Sequence, residues 1–368
     1  MSHKPKTTRW ALEDHSRAKH EVLQSYLGAW LPILGFSEDS FIFLDGFAGP
    51  GHYSGGEEGS PLIALRTFLA HPARPRFRGT PSFLFVEGDA ARAHSLEGAV
   101  EAMLADAAVR PTWRVDSRAF HDVVSELRAE CTRRRCSLKP AFVMIDPFGI
   151  SDSPMDDIRW LMSNPKCEVY ISLMASFIAR FEGTEGFDPH LDALYGTHDW
   201  SLVTARSTHE KLEGLLNLYE SQLRRTSKRC RVLRFDLFDG RQYKYTIFHA
   251  ASHERACERM KQAIWSLDAT GSFRFRGRDD SQQLGLFGDQ LWLTDLRDEL
   301  LARLADGDWH DVAELVSYLQ SDETRFHPGQ LKKGLRELEG AERLEVDATS
   351  RSRRLTYPDG TRLRTPRG

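Results

Sequence analysis

Residues 41 to 51, FIFLDGFAGPG, constrain this chain more than any other stretch: an apolar run ends on Asp45 and then breaks into three glycines within six residues. Four apolar residues in a row suit a parallel strand covered on both faces. Gly46, Gly49 and Gly51 remove the Cβ atoms that would hold a ligand away from the backbone. In an open parallel sheet, ligands bind in the crevice beyond the carboxyl ends of the strands, and Asp45 sits at that edge. Two later runs end in the same way. SFLFVEGD carries Glu87 and Asp89 at its tip, and AFVMIDPFG carries Asp146. Three acid-tipped hydrophobic strands predict one coherent site.

The rest of the chain alternates around these strands. RAKHEVLQSYLGAW, residues 17–30, spaces Val22, Leu23, Tyr26, Leu27 and Trp30 as one face of a helix, with Pro32 expected to close it. Lys19 and His20 fall near its start, and exposure is the commoner state for such residues. Ser60 is expected to cap the helix GSPLIALRTFLA, with Pro61 at its first position. Strands at 82–86, 113–115, 141–145 and 168–174 are separated by helical patterns, which predicts a doubly wound parallel sheet. A polar helical stretch over 175–227 reads as an insertion or a cap beside the site. Next, RVLRFDLFDGRQYKYTIFHAAS joins two β-rich runs across Asp239-Gly240, a strong hairpin signal. A parallel sheet that closes with an antiparallel pair is the architecture of class I methyltransferases.

A chain of 368 residues exceeds the usual single domain. The glycine-rich stretch 271–290 marks the boundary, giving a main domain over 1–285 and a second over 290–368. Three helical patterns and two short β-like pieces after it predict a winged helix-turn-helix. A net charge of -3 excludes a generally basic coat protein but permits a local basic patch. Five scattered cysteines and the lack of a membrane-length apolar run suggest a reduced, cytoplasmic protein. Cys131 and Cys136 have a poor metal spacing, and no clustered three-cysteine motif for an iron-sulfur centre is present.

The expected chemistry follows from these placements. No Lys-Ser/Thr pair follows the glycines, so the turn is not a P-loop, and a carboxylate there suits a cationic ligand. S-adenosylmethionine, with an ammonium and a sulfonium, is the cofactor so expected. Gly46, Gly49 and Gly51 would admit it, and Glu87 would accept hydrogen bonds from its ribose. Asp116 would either meet its adenine or cap the next helix. In Asp146-Pro147-Phe148-Gly149, the carboxylate and the proline carbonyl can accept both hydrogens of an exocyclic amine, while the aromatic stacks on a base. In the last domain, Lys332, Lys333 and Arg336 on one helix, and Arg351, Arg353 and Arg354 after it, suggest phosphate contact.

Taken together, KHEVLQSYLGAW, LDGFAGPGHYSGGEEGSPLIAL, FVEGD, VMIDPFG and YKYTIFHAASHERACERMKQAIW resemble the three-Cys-motif partner family over most of residues 15 to 270. That resemblance implies a class I S-adenosylmethionine-dependent fold and a separate partner protein bearing three cysteines of radical-enzyme type. More distantly, the chain is similar to bacterial rRNA adenine-N6 methyltransferases. By that similarity Lys19 would reach the cofactor carboxylate, residues 45–51 and Glu87 would hold the cofactor, and Asp146 and Pro147 the amine. The chain departs from that family's second proline and following aromatic, having Phe148 and Gly149 instead. Two functions are therefore expected: nucleic-acid amino methylation, or a non-catalytic recognition subunit for a radical-type enzyme in DNA repair or phage-related functions.

Overall fold

The computed structural model describes residues 7–149, 152–175, 178, 187–203, 207–240, 242–268, 270–276 and 288–366. The first helix, α1 (Asp14–Ser37), buries Val22, Leu23, Tyr26, Leu27, Trp30 and Leu31 along one side, as its spacing predicts. It does not end at Pro32. A proline inside a helix leaves the carbonyl four residues earlier without its N–H, at a cost of about 3 kcal/mol. Here His71 Nε2 donates to the Gly28 carbonyl at 3.0 Å and fills that vacancy. The backbone N–H of Ala73 donates to His71 Nδ1 at 3.1 Å, so the imidazole tautomer is fixed from both ends.

The main sheet comprises β1 (Ser40–Asp45), β2 (Thr80–Val86), β3 (Thr112–Asp116), β4 (Ala141–Ile145), β5 (Cys167–Leu173), β6 (Arg231–Asp239), β7 (Gln242–Ala251) and the short β8 (Arg274–Phe275). Their order is β3-β2-β1-β4-β5-β7-β6-β8. The first five run parallel, and β7 lies antiparallel between β5 and β6. Every residue of β4 and β5 is buried, as expected of central strands covered on both faces. The Asp239-Gly240 hairpin forms where predicted, with Gly240 at φ +57°.

Helices cover both faces. On one side lie α1, α2 (Ser60–Ala70), α3 (Ala90–Leu104) and a late helix, Glu254–Leu267; on the other lie α4 (Phe120–Arg134), α5 (Met155–Ser163), α6 (Asp188–Tyr195) and α7 (Thr208–Arg224). The late helix is α8. The described part of the 175–227 stretch is thus not a cap: Leu191, Tyr195, Leu215 and Tyr219 are core residues of the second face. Ser60 is not a cap either. Gly59 occupies that position and Ser60 opens the helix.

Past residue 287 the chain builds a separate core from α9 (Gly288–Arg303), α10 (Val312–Gln320) and α11 (Pro328–Gly340), with a small antiparallel sheet of β9 (His310–Asp311), β10 (Glu345–Val346) and β11 (Arg362–Arg364). One buried lysine fastens this unit to the main sheet's layer. Lys261 of α8, fully buried, donates to the carbonyls of Leu319 at 2.9 Å, Thr324 at 3.0 Å and Phe326 at 2.7 Å, and to that of Ser321. Trp265 Nε1 adds a bond to Arg325 O at 2.7 Å. Lys261→Met leaves these carbonyls without their donor and is expected to cost about 3 kcal/mol. Chemical denaturation together with amide exchange in α10 and α11 checks it; unchanged protection there would deny Lys261 this role.

Candidate functional site

In the strand order, direction of winding reverses between β1 and β4, which makes their carboxyl ends the topological switch point where such sheets bind ligands. The glycine turn leaves β1 there, and Asp146-Pro147-Phe148 leaves β4 beside it. Gly46 N donates to Met144 O at 2.8 Å, which stitches the two exits together. Ala48 N donates to Val86 O at 2.8 Å and ties the turn to β2.

The glycines serve packing and backbone shape. A Cβ on Gly46 would lie 2.6 Å from the Phe120 ring, and one on Gly51, at φ +89°, would lie 3.1 Å from Ala99 Cβ. Gly49 adopts φ +65°, a left-handed conformation that favours glycine. Asp45 is wholly buried beneath the turn: Ser60 Oγ donates to it at 2.6 Å and Phe47 N at 3.1 Å. Glu87 accepts from Gly49 N at 3.0 Å, from Asp89 N at 2.9 Å and from Arg92 at 2.9 Å. Both acids therefore face the protein, and their direct work is to hold the turn in shape. Asp116 is similarly engaged by Arg114 and Arg118, and the Arg118 hydrogen bond holds its carboxyl down to about 2. It is not the cap of α4, a position taken by Ala119.

Burial pushes the Asp45 carboxyl up to about 7, against hydrogen bonds from Ser60 and Phe47 that favour its charged form. A folded-state value above the unfolded one adds stability that is complete below about pH 4 and disappears as pH rises through about 7. Wild type is therefore expected to lose stability relative to Asp45→Asn between about pH 4 and 7. Unfolding midpoints of both proteins across that window decide it, and parallel curves would remove the assignment.

The groups that face open space come from α1, the turn and β4. Lys19, on α1, is buried and forms an ion pair with Asp146. Burial works against a charged Asp146, but the Lys19 ammonium outweighs it and keeps the carboxyl below its usual range. His20 also points inward, contrary to the expected exposure of these two residues, because their side of α1 packs over the sheet edge. Burial, then the adjacent Lys19, pushes His20 down to about 3, which leaves it neutral, and its Nδ1 has no partner. His20 Nε2 lies 3.5 Å from the Tyr53 hydroxyl.

The sequence reading did not anticipate Trp10. Its ring meets Phe148 edge-on at 5.1 Å and Tyr53 at 6.0 Å, while its carbonyl accepts from Ser54 N at 2.8 Å. The N-terminal segment so lies across the crevice, and the cavity left beneath measures about 80 Å³. Lys19, His20, Gly49, Ser60, Asp146 and Phe148 are among its walls. Arg92 was also missed, although a cation five residues past Glu87 at a helix start was a readable signal.

In the C-terminal unit, Lys332, Lys333 and Arg336 line one open face of α11. Lys333 lies 4.9 Å from the Trp292 ring centre, and Arg336 Nε donates to Leu355 O at 3.2 Å. Arg351 is half-buried in a two-pronged pair with Glu339, its Nη1 at 2.8 Å, which anchors the chain after α11. Arg354 lies 3.7 Å from the same carboxylate but remains largely exposed, and Arg353 is exposed too.

No protein-family model and no curated protein matches the chain. Solved structures do resemble it. One is an O-methyltransferase from Bacillus cereus in complex with SAH, at 12% identity over 62% of this chain and 80% of that chain, with TM-score 0.33. Another is the O-methyltransferase TomG from Streptomyces achromogenes with SAM, at 13% identity over 66% and 91%, TM-score 0.33. Trm1 from Pyrococcus horikoshii with S-adenosyl-L-methionine covers 100% of this chain and 94% of that one at 10% identity and TM-score 0.37. Likeness of this size leaves the fold to rest on the strand order itself, a mixed sheet that is mainly parallel. Among the described residues no helix is long and apolar enough to cross a membrane, and no cluster of three His, Cys, Asp or Glu could hold a metal ion.

Proposed function

We propose that this chain is a class I methyltransferase that moves a methyl group from S-adenosylmethionine to an exocyclic amine of a nucleic acid, and that residues 290–368 are a winged helix-turn-helix module that presents the substrate. The supporting observation is the meeting of the glycine turn, the Lys19–Asp146 pair and Phe148 at one switch point. S-adenosylmethionine supplies an electrophilic methyl group when bound. The polar groups suit it: Lys19 matches a carboxylate, and the unpartnered His20 Nδ1 offers one further contact. The room does not suit it while Trp10 is seated, since ligand pockets usually measure about 300–1,000 Å³. Lys19 and Asp146 thus neutralise each other in the closed state. With Lys19 on a ligand carboxylate, Asp146 would be free to accept an amine hydrogen, with Pro147 O as second acceptor, and an amino group so held would gain most of its rate from positioning. Lys332, Arg353 and Arg354 are the exposed cations offered to phosphate, and Arg351 maintains their scaffold.

Transfer of labelled methyl groups to RNA and to DNA tests the proposal. Wild type is expected to label one of them, and Asp146→Asn, which keeps the side-chain shape, to lose about 10²-fold or more. Full activity in that variant would exclude Asp146 as the amine's acceptor. The small cavity favours a second reading: a recognition subunit, of the three-Cys-motif partner kind, that keeps the fold for a separate three-cysteine protein. Nucleic-acid binding without any methyl transfer, plus co-purification of such a protein, would select it.

A further inference from the structure

At the opposite edge of the sheet, where β5 begins and β7 ends, a second cavity of about 710 Å³ opens between α1 and α8. That volume is the size of a whole drug-sized ligand. Its walls are Trp30, Ile33, Leu34 and Phe36 of α1 with Ala251 and Ala256 opposite. Phe36 is 41% exposed beside this hollow. Trp30, only 3% exposed, leaves its indole N–H without any acceptor. A buried donor without a partner is costly, so this wall has one polar contact to spare.

The rim is cationic. Lys166, Arg229, Arg255 and Arg259 line it, and Glu168 is the one carboxylate among the lining residues. Glu168 is already engaged, accepting from Tyr26 Oη and lying 2.9 Å from His249 Nε2. Lys166 is paired with Glu38, and Arg259 donates to the neutral Gln262 at 2.7 Å. Arg229 and Arg255 have no carboxylate partner among the described residues, and both are exposed. An apolar hollow under a ring of unneutralised guanidinium groups selects one ligand chemistry, an apolar body carrying an anionic head.

We propose that this cavity binds a free, monomeric amphipathic carboxylate, with its chain against Trp30 and Phe36 and its head on Arg229, Arg255 and Arg259. The guanidinium plane accepts a carboxylate in a two-pronged geometry, which an ammonium-bearing or neutral amphiphile cannot use. The site lies at the opposite ends of the strands from the glycine turn, so it does not depend on the methyl-transfer reading.

Calorimetric titration of the full chain with dodecanoate below its micellar concentration tests this, with dodecyltrimethylammonium as the charge-reversed probe. One site of micromolar affinity is expected for dodecanoate and none for the cation, with S-adenosylmethionine leaving the titration unchanged. Arg255→Glu with Arg259→Glu should weaken dodecanoate by about tenfold or more. Ala256→Trp, which fills the hollow and spares the rim, should abolish it, and both proteins must keep the wild-type unfolding midpoint to count. Equal binding of both probes, an unaltered affinity in the charge-reversed protein, or binding only to anionic vesicles would each overturn the proposal.

Discussion

Asp146→Ala is expected to lower the unfolding free energy by about 3–5 kcal/mol, because it strands the buried Lys19 ammonium without its counter-ion. Among the described residues no other carboxylate pairs with Lys19: Asp45 is engaged by Ser60 and Phe47, the neighbouring His20 is held neutral, and the Tyr245 ring lies 5.5 Å from Lys19 Nζ. The double change Lys19→Met with Asp146→Leu removes both charges and should recover most of that loss, since a well-packed apolar pair replaces a buried ion pair at little net cost. Urea denaturation of wild type, Asp146→Ala and the double variant decides it. A single alanine variant within about 1 kcal/mol of wild type would mean that Lys19 reaches water, and the closed arrangement of the site would have to be abandoned.

Trp10→Ala is expected to tighten S-adenosylmethionine binding by about 10- to 100-fold. Two edge-to-face ring contacts, each worth about 0.5–1.5 kcal/mol, hold Trp10 on Phe148 and Tyr53, and entry of the cofactor must break both. Removing them raises the population of the open site, and the apparent affinity rises in proportion. Calorimetry on wild type, Trp10→Ala and Trp10→Phe resolves the matter, with Trp10→Phe falling between the others. Weaker binding in Trp10→Ala would instead make the indole part of the binding surface.

Much of this architecture was legible from local pattern. The apolar runs of β1, β2, β4 and β5 and the Asp239-Gly240 turn carry their own structure, because burial on both faces and a left-handed turn each leave a mark on a few consecutive residues. The misreadings share a different cause. Pro32 looked terminal because the donor that rescues Gly28 is 43 residues away in sequence. Ser60 looked like a cap because its partner, Asp45, is 15 residues back. Lys19 looked exposed because the carboxylate that makes its burial tolerable lies 127 residues on. The acids at the strand tips were found, but their direction was not: Asp45 and Glu87 turn inward to shape the glycine turn, and Asp146 faces the opening. Trp10 had no signal at all, since a lone aromatic in a polar lead-in has no periodicity to betray where it docks.

The bond from His71 to the Gly28 carbonyl makes two distant positions answer to one another. A chain that regained an ordinary residue at 32 would restore the helix's own N–H to that carbonyl and leave the imidazole at 71 redundant. A chain that lost the imidazole while keeping the proline would leave a half-buried, unanswered carbonyl on α1, the same helix that brings Lys19 and His20 to the crevice and Trp30 to the opposite cavity. Positions 32 and 71 should therefore change as a pair across related proteins, and that shared history would be visible before either cavity is ever assayed.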